Sequence, residues 1–318
     1  MIASALEFEK PIVELERKIE ELQKFAEKEG LNFGTEVEKL TTRLATLKEE
    51  VYRNMNEWQC TQVARHAQRP YTLDYAVNTF TDFVEIHGDR AYADDKSIVG
   101  GMCRLNDIPV MLLGHQKGRN TSENIRRNFG MPNPEGYRKA LRIMKLAEKF
   151  NLPIITLVDT PGAYPGIGAE ERGQGEAIAR NLIEMAALEV PVITVVTGEG
   201  GSGGALALAV ANRVLMLQHS IYSVISPEGC AAILWKDGTQ GAKAASALKL
   251  TAPNLLKHRI IDEIIAEPLG GAHRDRKVVY GNLREALIKH LSDLQQMSKE
   301  KLVADRYARF RQIGAFEE

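Results

Sequence analysis

Residues 190–211, VPVITVVTGEGGSGGALALAVA, place three signals in succession: a β-branched apolar run, a cluster of glycines, and a run rich in alanine and leucine. The first reads as a strand buried on both faces. The second reads as a strand-to-helix turn, where glycine admits unusual backbone angles and lets a ligand or another backbone come close. The third reads as a helix whose first amides are unpaired and carry partial positive charge. An anion or a developing oxyanion is favoured at such a turn.

The same grammar extends outward. IPVMLLG (108–114), LPIITLVD (152–159), RVLML (213–217) and YSVIS (222–226) are short apolar runs, each followed by glycine, polar residues or a helical stretch. Such alternation predicts an α/β domain, with strands ending where the glycines begin and the site built from loops at strand carboxyl ends. A second glycine loop, VDTPGAYPG (158–166), follows one of these runs. It has the Asp-x-x-Gly form by which nucleotide hydrolases hold magnesium, but that chemistry also needs a Gly-x-x-x-x-Gly-Lys-Ser/Thr loop. The nearest stretch, GHQKGRNTS from Gly114, puts Lys117 before its second glycine.

The cluster at 198–204 admits three readings. Gly198, Gly200 and Gly203 satisfy a dinucleotide-binding Gly-x-Gly-x-x-Gly, yet residues 205–227 contain no Asp or Glu to hold a ribose hydroxyl. Gly200, Ser202 and Gly204 satisfy the Gly-x-Ser-x-Gly elbow of a serine hydrolase, with Asp262 and His273 following in the required order. Against it, the cluster exposes more backbone than a nucleophile needs, and His273 sits in LGGAHR, where a loop histidine is the simpler account. In the third reading DTPGAYPG and GEGGSGGA lie side by side and pool their amides around a carbonyl oxygen, with no protein nucleophile.

The remainder bounds the answer. A chain of 318 residues, 44% hydrophobic and 26% charged, can bury a sizeable core. Its net charge of −1 gives no global attraction to nucleic acid or anionic membrane. Cys60, Cys103 and Cys230 are too scattered for a disulfide framework or a zinc site. The N-terminus lacks an apolar signal core and no run reaches membrane-spanning length, so the expected compartment is the cytoplasm. Ile12, Leu15, Ile19, Leu22 and Ala26, then Val37, Leu40, Leu44, Leu47 and Val51, predict a helical hairpin. Gly30 and Gly34 are expected to end its first helix, and Thr35 with Glu38 to cap its second. Leu283, Leu287, Leu291 and Leu294 predict a C-terminal packing or interface helix. The expected division is a hairpin over 1–65, a catalytic domain over 66–275 and a helical extension over 276–318.

Basic residues dominate between Gly114 and Lys145. Arg138, Arg142 and Lys145 fall at helical spacing and read as a solvated face, whereas Lys117 and Arg119 directly follow a strand and are better placed to meet an acidic ligand. Asp159 reads as a carboxylate fixing its own tight turn, and Ser226 with Pro227 as a helix cap.

Taken together, FEKPIVELE, RPYTLDY, GDRAYADDKSIVGG, GHQKGR, RRNFGMPNPEGYRKALR, DTPGAYPG, GAEERGQGEAIARNL, GEGGSGGALAL, YSVISPEGCAAILWK and EPLGGAHR closely resemble the alpha subunits of bacterial-type acetyl-coenzyme A carboxylase carboxyltransferase. The likeness runs from about residue 7 to residue 274 and weakens in GTQGAKAASALK and the C-terminal tail. It implies a crotonase-like fold of repeated ββα units and a heterotetramer of two alpha and two beta chains, the beta chain carrying a zinc ribbon and this chain no metal. It also implies the partners biotin carboxyl carrier protein and biotin carboxylase, and transfer of a carboxyl group from carboxybiotin to acetyl-coenzyme A to give malonyl-coenzyme A. By the same resemblance the amides of Gly203 and Gly204 stabilise the biotin oxyanion. Gly162, Ala163, Tyr164, Gly201, Ser202 and Ala205 shape the carboxybiotin pocket, and Lys117, Arg119 and Arg127 are candidate contacts to an acidic ligand or coenzyme A.

Overall fold

The structure, a computed structural model, describes residues 5–29 and 33–314. The N-terminal helices α1 (Lys10–Glu29) and α2 (Gly34–Arg53) run antiparallel. Tyr52 Oη donates to the buried Glu9 carboxylate at 2.6 Å at one end of the pair, and Phe25 meets Phe33 at the other. Gly34 is the first residue of α2 rather than a stop for α1, and Thr35 lies inside the helix, so the expected capping box is not formed there. Gly30 lies outside the described residues. Two short helices follow, α3 (Glu57–Ala64) and α4 (Thr72–Asn78).

The chain then builds one mixed eight-stranded sheet: β1 (Thr81–Glu85), β2 (Ile98–Leu105), β3 (Ile108–His115), β4 (Ile154–Thr160), β5 (Val192–Gly201), β6 (Arg213–Leu217), β7 (Ile221–Ser223) and β8 (Glu263–Ile265). The order is β1-β2-β3-β4-β5-β6-β8, antiparallel across β1, β2 and β3 and parallel beyond. Helices α5 (Thr121–Arg126) and α6 (Pro134–Lys149) join β3 to β4. Next come α7 (Ile167–Glu171) and α8 (Gln174–Ala187), then α9 (Ser202–Leu206). The chain ends with α10 (Pro227–Trp235), α11 (Gly241–Leu248), α12 (Ala252–Lys257), α13 (Arg276–Gln295) and α14 (Lys299–Arg311).

Alternation along the strands explains why both faces are covered. Ile154, Val158, Val192 and Val196 enter one core, with α6, α8 and the end of α14. Ile155, Leu157, Ile193 and Val195 enter the other, with α4 and the leucines of α13. Two threonines interrupt the aliphatic pattern. The hydroxyls of Thr156 and Thr194 lie 2.7 Å apart and both engage the Leu208 carbonyl, at 2.7 and 3.1 Å. With the Ala207 carbonyl taken by Asn181, the backbone after Leu206 is drawn down onto the sheet. The alanine-rich run is therefore a single turn, α9, and not the longer helix that its composition predicts.

β5 also departs from expectation, since it continues through the glycines to Gly201. Beyond Val196 its neighbour β6 gives way to β7, which pairs Glu199, Gly200 and Gly201 with Ile221, Tyr222 and Ser223. On the other side, the register with β4 passes from Val158↔Val196 to Thr160↔Gly200, a bulge over Thr197, Gly198 and Glu199. That bulge brings the two glycine loops together.

Candidate active site

The DTPGAYPG and GEGGSGGA loops touch backbone to backbone. A Cβ on Gly201 would lie 2.1 Å from the Pro161 carbonyl oxygen, and one on Gly204 would lie 2.4 Å from the Ala163 amide nitrogen and 2.5 Å from the Gly162 carbonyl carbon. No side chain fits at either position. Gly203 differs: a Cβ there meets only Ile178, at 3.8 Å, so the fold itself tolerates a larger residue. The Gly203 and Gly204 amides sit in the first turn of α9, where no helical carbonyl precedes them, and neither donates to a backbone acceptor among the described residues. A one-turn helix carries little macrodipole, so any anion stabilisation here comes from the local N–H groups.

Gly203 opens on a cavity of about 320 Å³ lined mainly by apolar side chains, among them Leu206, Tyr222, Leu255 and Phe310. Of the proposed pocket residues, Ser202 and Gly203 line it. Gly201 and Ala205 are buried behind it, and Gly162 and Ala163 form the seam with the neighbouring loop. Gly162 needs its glycine for φ = 151°. The Tyr164 ring packs over Gly166, within 2.4 Å of where a Cβ would stand, and lies outside the cavity lining.

Pinning of the loops explains the position of several charges. Asp159 accepts from Lys117 Nζ at 2.5 Å and from the Glu199 amide at 3.0 Å, and its carboxylate fills the space above Gly198. It therefore locks β5 to β4 instead of fixing its own turn, which Thr160 Oγ1 does through the Gly162 amide. Burial works against the charge on Lys117, but Asp159 and Glu199 outweigh it and hold its pKa above that of an ordinary lysine. Arg119 donates to the Ala67 and Arg69 carbonyls, pairs with Asp74 and stacks over Tyr71. Arg127 donates to the Lys96 carbonyl and has no carboxylate partner among the described residues. The helical-face cations are likewise engaged: Arg138 with Asp89, Arg142 with the His87 and Gly88 carbonyls, and Lys145 with Glu148 and Glu184.

Composition and spacing did not single out the arginines that hold the β5 extension. Arg65 bridges Glu199 and Glu228 at 2.6 Å each. Arg69, fully buried, pairs with Glu267 at 2.7 Å and donates to the Thr197 carbonyl at the bulge. His115, to which composition and spacing assign no role within GHQKGR, also lies at the seam. Its ring is buried beside Lys117, Asp159 and the backbone of Leu157 and Gly204, and neither ring nitrogen makes a hydrogen bond of ordinary geometry among the described residues. Burial lowers its pKa to about 4.

A hydrolase triad is not assembled. Ser202 is exposed with φ = 49°, but Asp262 accepts from the Val214 amide and Arg309. His273 stacks on His66 at 3.8 Å between ring centres. Burial, then the neighbouring His66, lowers the His273 pKa to about 3. Neither residue lines the cavity on which Ser202 opens. No helix of the described residues is long and apolar enough to cross a membrane, and no cluster of three or more metal-ligating side chains occurs among them.

Comparison with known proteins bears on the family and the fold of the chain. The family model described as acetyl co-enzyme A carboxylase carboxyltransferase-like matches residues 5–314. A Geobacter metallireducens protein named acetyl-coenzyme A carboxylase carboxyl transferase subunit alpha is 64% identical over 313 residues, covering 98% of each chain. The protein of that name from Thiobacillus denitrificans is 57% identical over 318 residues, covering 100% of this chain and 99% of its own. Among solved structures, transcarboxylase 12S superposes with a TM-score of 0.56 at 20% identity, over 70% of this chain and 42% of that one. A Pseudomonas malonate decarboxylase heterotetramer in complex with coenzyme A does so with a TM-score of 0.56 at 16% identity, over 68% and 89%. Those likenesses carry the crotonase-like fold. With a family model spanning nearly all its described length and full-length relatives above half identity, the chain belongs to the acetyl-coenzyme A carboxylase carboxyltransferase family.

Proposed function

We propose that this chain is the alpha subunit of an acetyl-coenzyme A carboxylase carboxyltransferase and supplies the biotin half of a site completed by a beta subunit. The observation that carries the reading is Gly203: among the described residues its amide has no acceptor and no neighbour requires a glycine there, and its missing side chain faces a cavity.

Carboxybiotin, delivered on a carrier protein, supplies the carboxyl group and, once parted from it, the base that takes the acetyl methyl proton. The chain's own part is electrostatic. The Gly203 and Gly204 N–H groups, fixed by the seam against Gly162 and Ala163, donate to the oxygen on which charge develops, with no reorganisation during the step. The residues fit the group: the cavity is lined mainly by apolar side chains, as the ring requires, and Gly203 is part of that lining, with Gly204 directly behind it in sequence. The one guanidinium in the lining, Arg309, is already held by Asp262 and the Ile260 carbonyl. Such a cavity favours a largely apolar ring on which a single oxyanion develops over the multiply charged phosphates of coenzyme A. The beta subunit would then provide the thioester side and most coenzyme A contacts.

The test is transfer of a carboxyl group from malonyl-coenzyme A to biocytin, measured with this chain alone and with a purified beta subunit. Activity only in the mixture supports the reading. Ester hydrolysis by the chain alone, with no transfer in the mixture, overturns it.

A further inference from the structure

The C-terminal helix α14 reaches the Gly203 cavity by an unusual anchorage. Arg306, 1% exposed, donates Nη1 to the Met185 and Leu188 carbonyls at 3.0 and 2.7 Å, and Nη2 to the Val190 carbonyl and Asn212 Oδ1 at 2.9 and 2.7 Å. It thus closes the C-terminal end of α8, and burial lowers its pKa to about 10. Three residues later Arg309 is fixed to Asp262 at 2.8 Å and to the Ile260 carbonyl at 2.6 Å. These contacts hold Phe310 and Ile313 in the cavity wall, in the same lining as Ser202 and Gly203. The segment after Leu302 is far from the glycine loops in sequence, and packing alone does not need Ile313, which is 36% exposed.

We propose that the end of α14 and the bend that follows it form a positioning element of the transfer site: Phe310 and Ile313 hold the apolar ring of the biotin group so that its ureido oxygen meets the Gly203 amide. The inference rests on the biotin reading above and adds the residues that set its selectivity. Arg306 acts through them, by fixing the helix that carries Phe310 and leads into Ile313.

The experiment uses the reconstituted alpha and beta complex with two variants, Phe310→Ala and Ile313→Glu, and two readouts: kinetics of carboxyl transfer from malonyl-coenzyme A to biocytin, and equilibrium binding of a fluorescent biocytin by anisotropy. Each variant is expected to raise KM for biocytin and to weaken its binding about tenfold, the scale of one lost apolar contact. KM for malonyl-coenzyme A and kcat should stay within about twofold of the parent. Tyr307→Ala, on the exposed side of the same helix, should change neither readout. If Phe310→Ala fails to fold, Ile313→Glu, in the partly exposed bend beyond α14, decides alone. Unchanged KM and affinity for biocytin, or a rise confined to malonyl-coenzyme A, overturns the proposal. A parent complex that neither binds nor carboxylates biocytin instead removes the biotin reading itself, so the two failures are distinguishable.

Discussion

Adjacent glycines in α9 should respond to the same substitution in opposite ways. At Gly204 an added methyl carbon lies 2.4 and 2.5 Å from backbone atoms of Ala163 and Gly162, which cannot rotate aside. Reaching an ordinary contact requires the loops to part by about 1 Å, and overpacking of that kind costs roughly 1–3 kcal/mol. Gly204→Ala should therefore lower the melting temperature by several degrees, at about 2 °C for each kcal/mol in a chain this large. At Gly203 the same carbon meets Ile178 at 3.8 Å, an ordinary contact, and the residue's φ is not positive. Replacing a helical glycine by alanine there should leave stability unchanged or raise it by roughly 0.5–1 kcal/mol. Yet that methyl group stands at the cavity, where the reacting oxygen must approach the amide. Loss of one preorganised donor costs on the order of 3 kcal/mol, about a hundredfold in rate. Gly203→Ala should thus be as stable as the parent and about a hundredfold slower in carboxyl transfer. Scanning fluorimetry with the malonyl-coenzyme A to biocytin assay reads both. A Gly203→Ala protein with parental turnover would refute the reasoning.

Three further outcomes follow from the geometry. Ser202→Ala should keep most carboxyl transfer, because no base reaches that hydroxyl; near-complete loss in the transfer assay would restore a nucleophilic serine. Lys117→Met leaves the Asp159 carboxylate buried without its cation and should cost roughly 3–5 kcal/mol in urea unfolding. Adding Asp159→Asn should recover much of that, whereas full stability with lost activity in the single variant would make Lys117 a ligand contact. His115 stays neutral in the folded chain down to about pH 4, while the unfolded chain takes the proton near 6.5. The unfolded state therefore binds more protons between those values, and the stability present above pH 6.5 is lost as pH falls, by at most about 1.4 kcal/mol per pH unit from this group. His115→Leu should flatten that slope in unfolding titrations from pH 6.5 to 4, and an unaltered slope would remove His115 as its source.

The sequence carried β3, β4, β5 and β6, strands buried on both faces, because their four runs of β-branched and aliphatic residues need no tertiary information to be seen; YSVIS gave only the short β7, with Val224 exposed beyond it. It did not show β1 or the glycine-interrupted β2, or β8, whose Glu-Ile-Ile is too short for a periodic signal, or the extension of β5 through Gly198 to Gly201, which exists because β7 pairs with it. The meeting of the two glycine loops was legible as a possibility, since close backbone approach is what clustered glycines permit. The helix after Ser202 was overread, because hydroxyls from Thr156 and Thr194 capture a carbonyl that helix propensity assigns to the next turn. Lys117 and Arg119 illustrate a general difficulty: a loop cation looks free in sequence until its partner, here Asp159 or Asp74, arrives from a distant position. Arg306 and Phe310 lie in a charged C-terminal run whose periodicity reports only an amphipathic helix.

The most direct measurement replaces the Gly203 amide by an ester, through incorporation of glycolic acid at that position, and compares kcat/KM for carboxyl transfer to biocytin in the assembled complex. The substitution removes one N–H and leaves shape and charge in place. Donation from Gly203 to the developing oxyanion predicts a loss of about a hundredfold with assembly intact. Parental kcat/KM in the ester variant would contradict it.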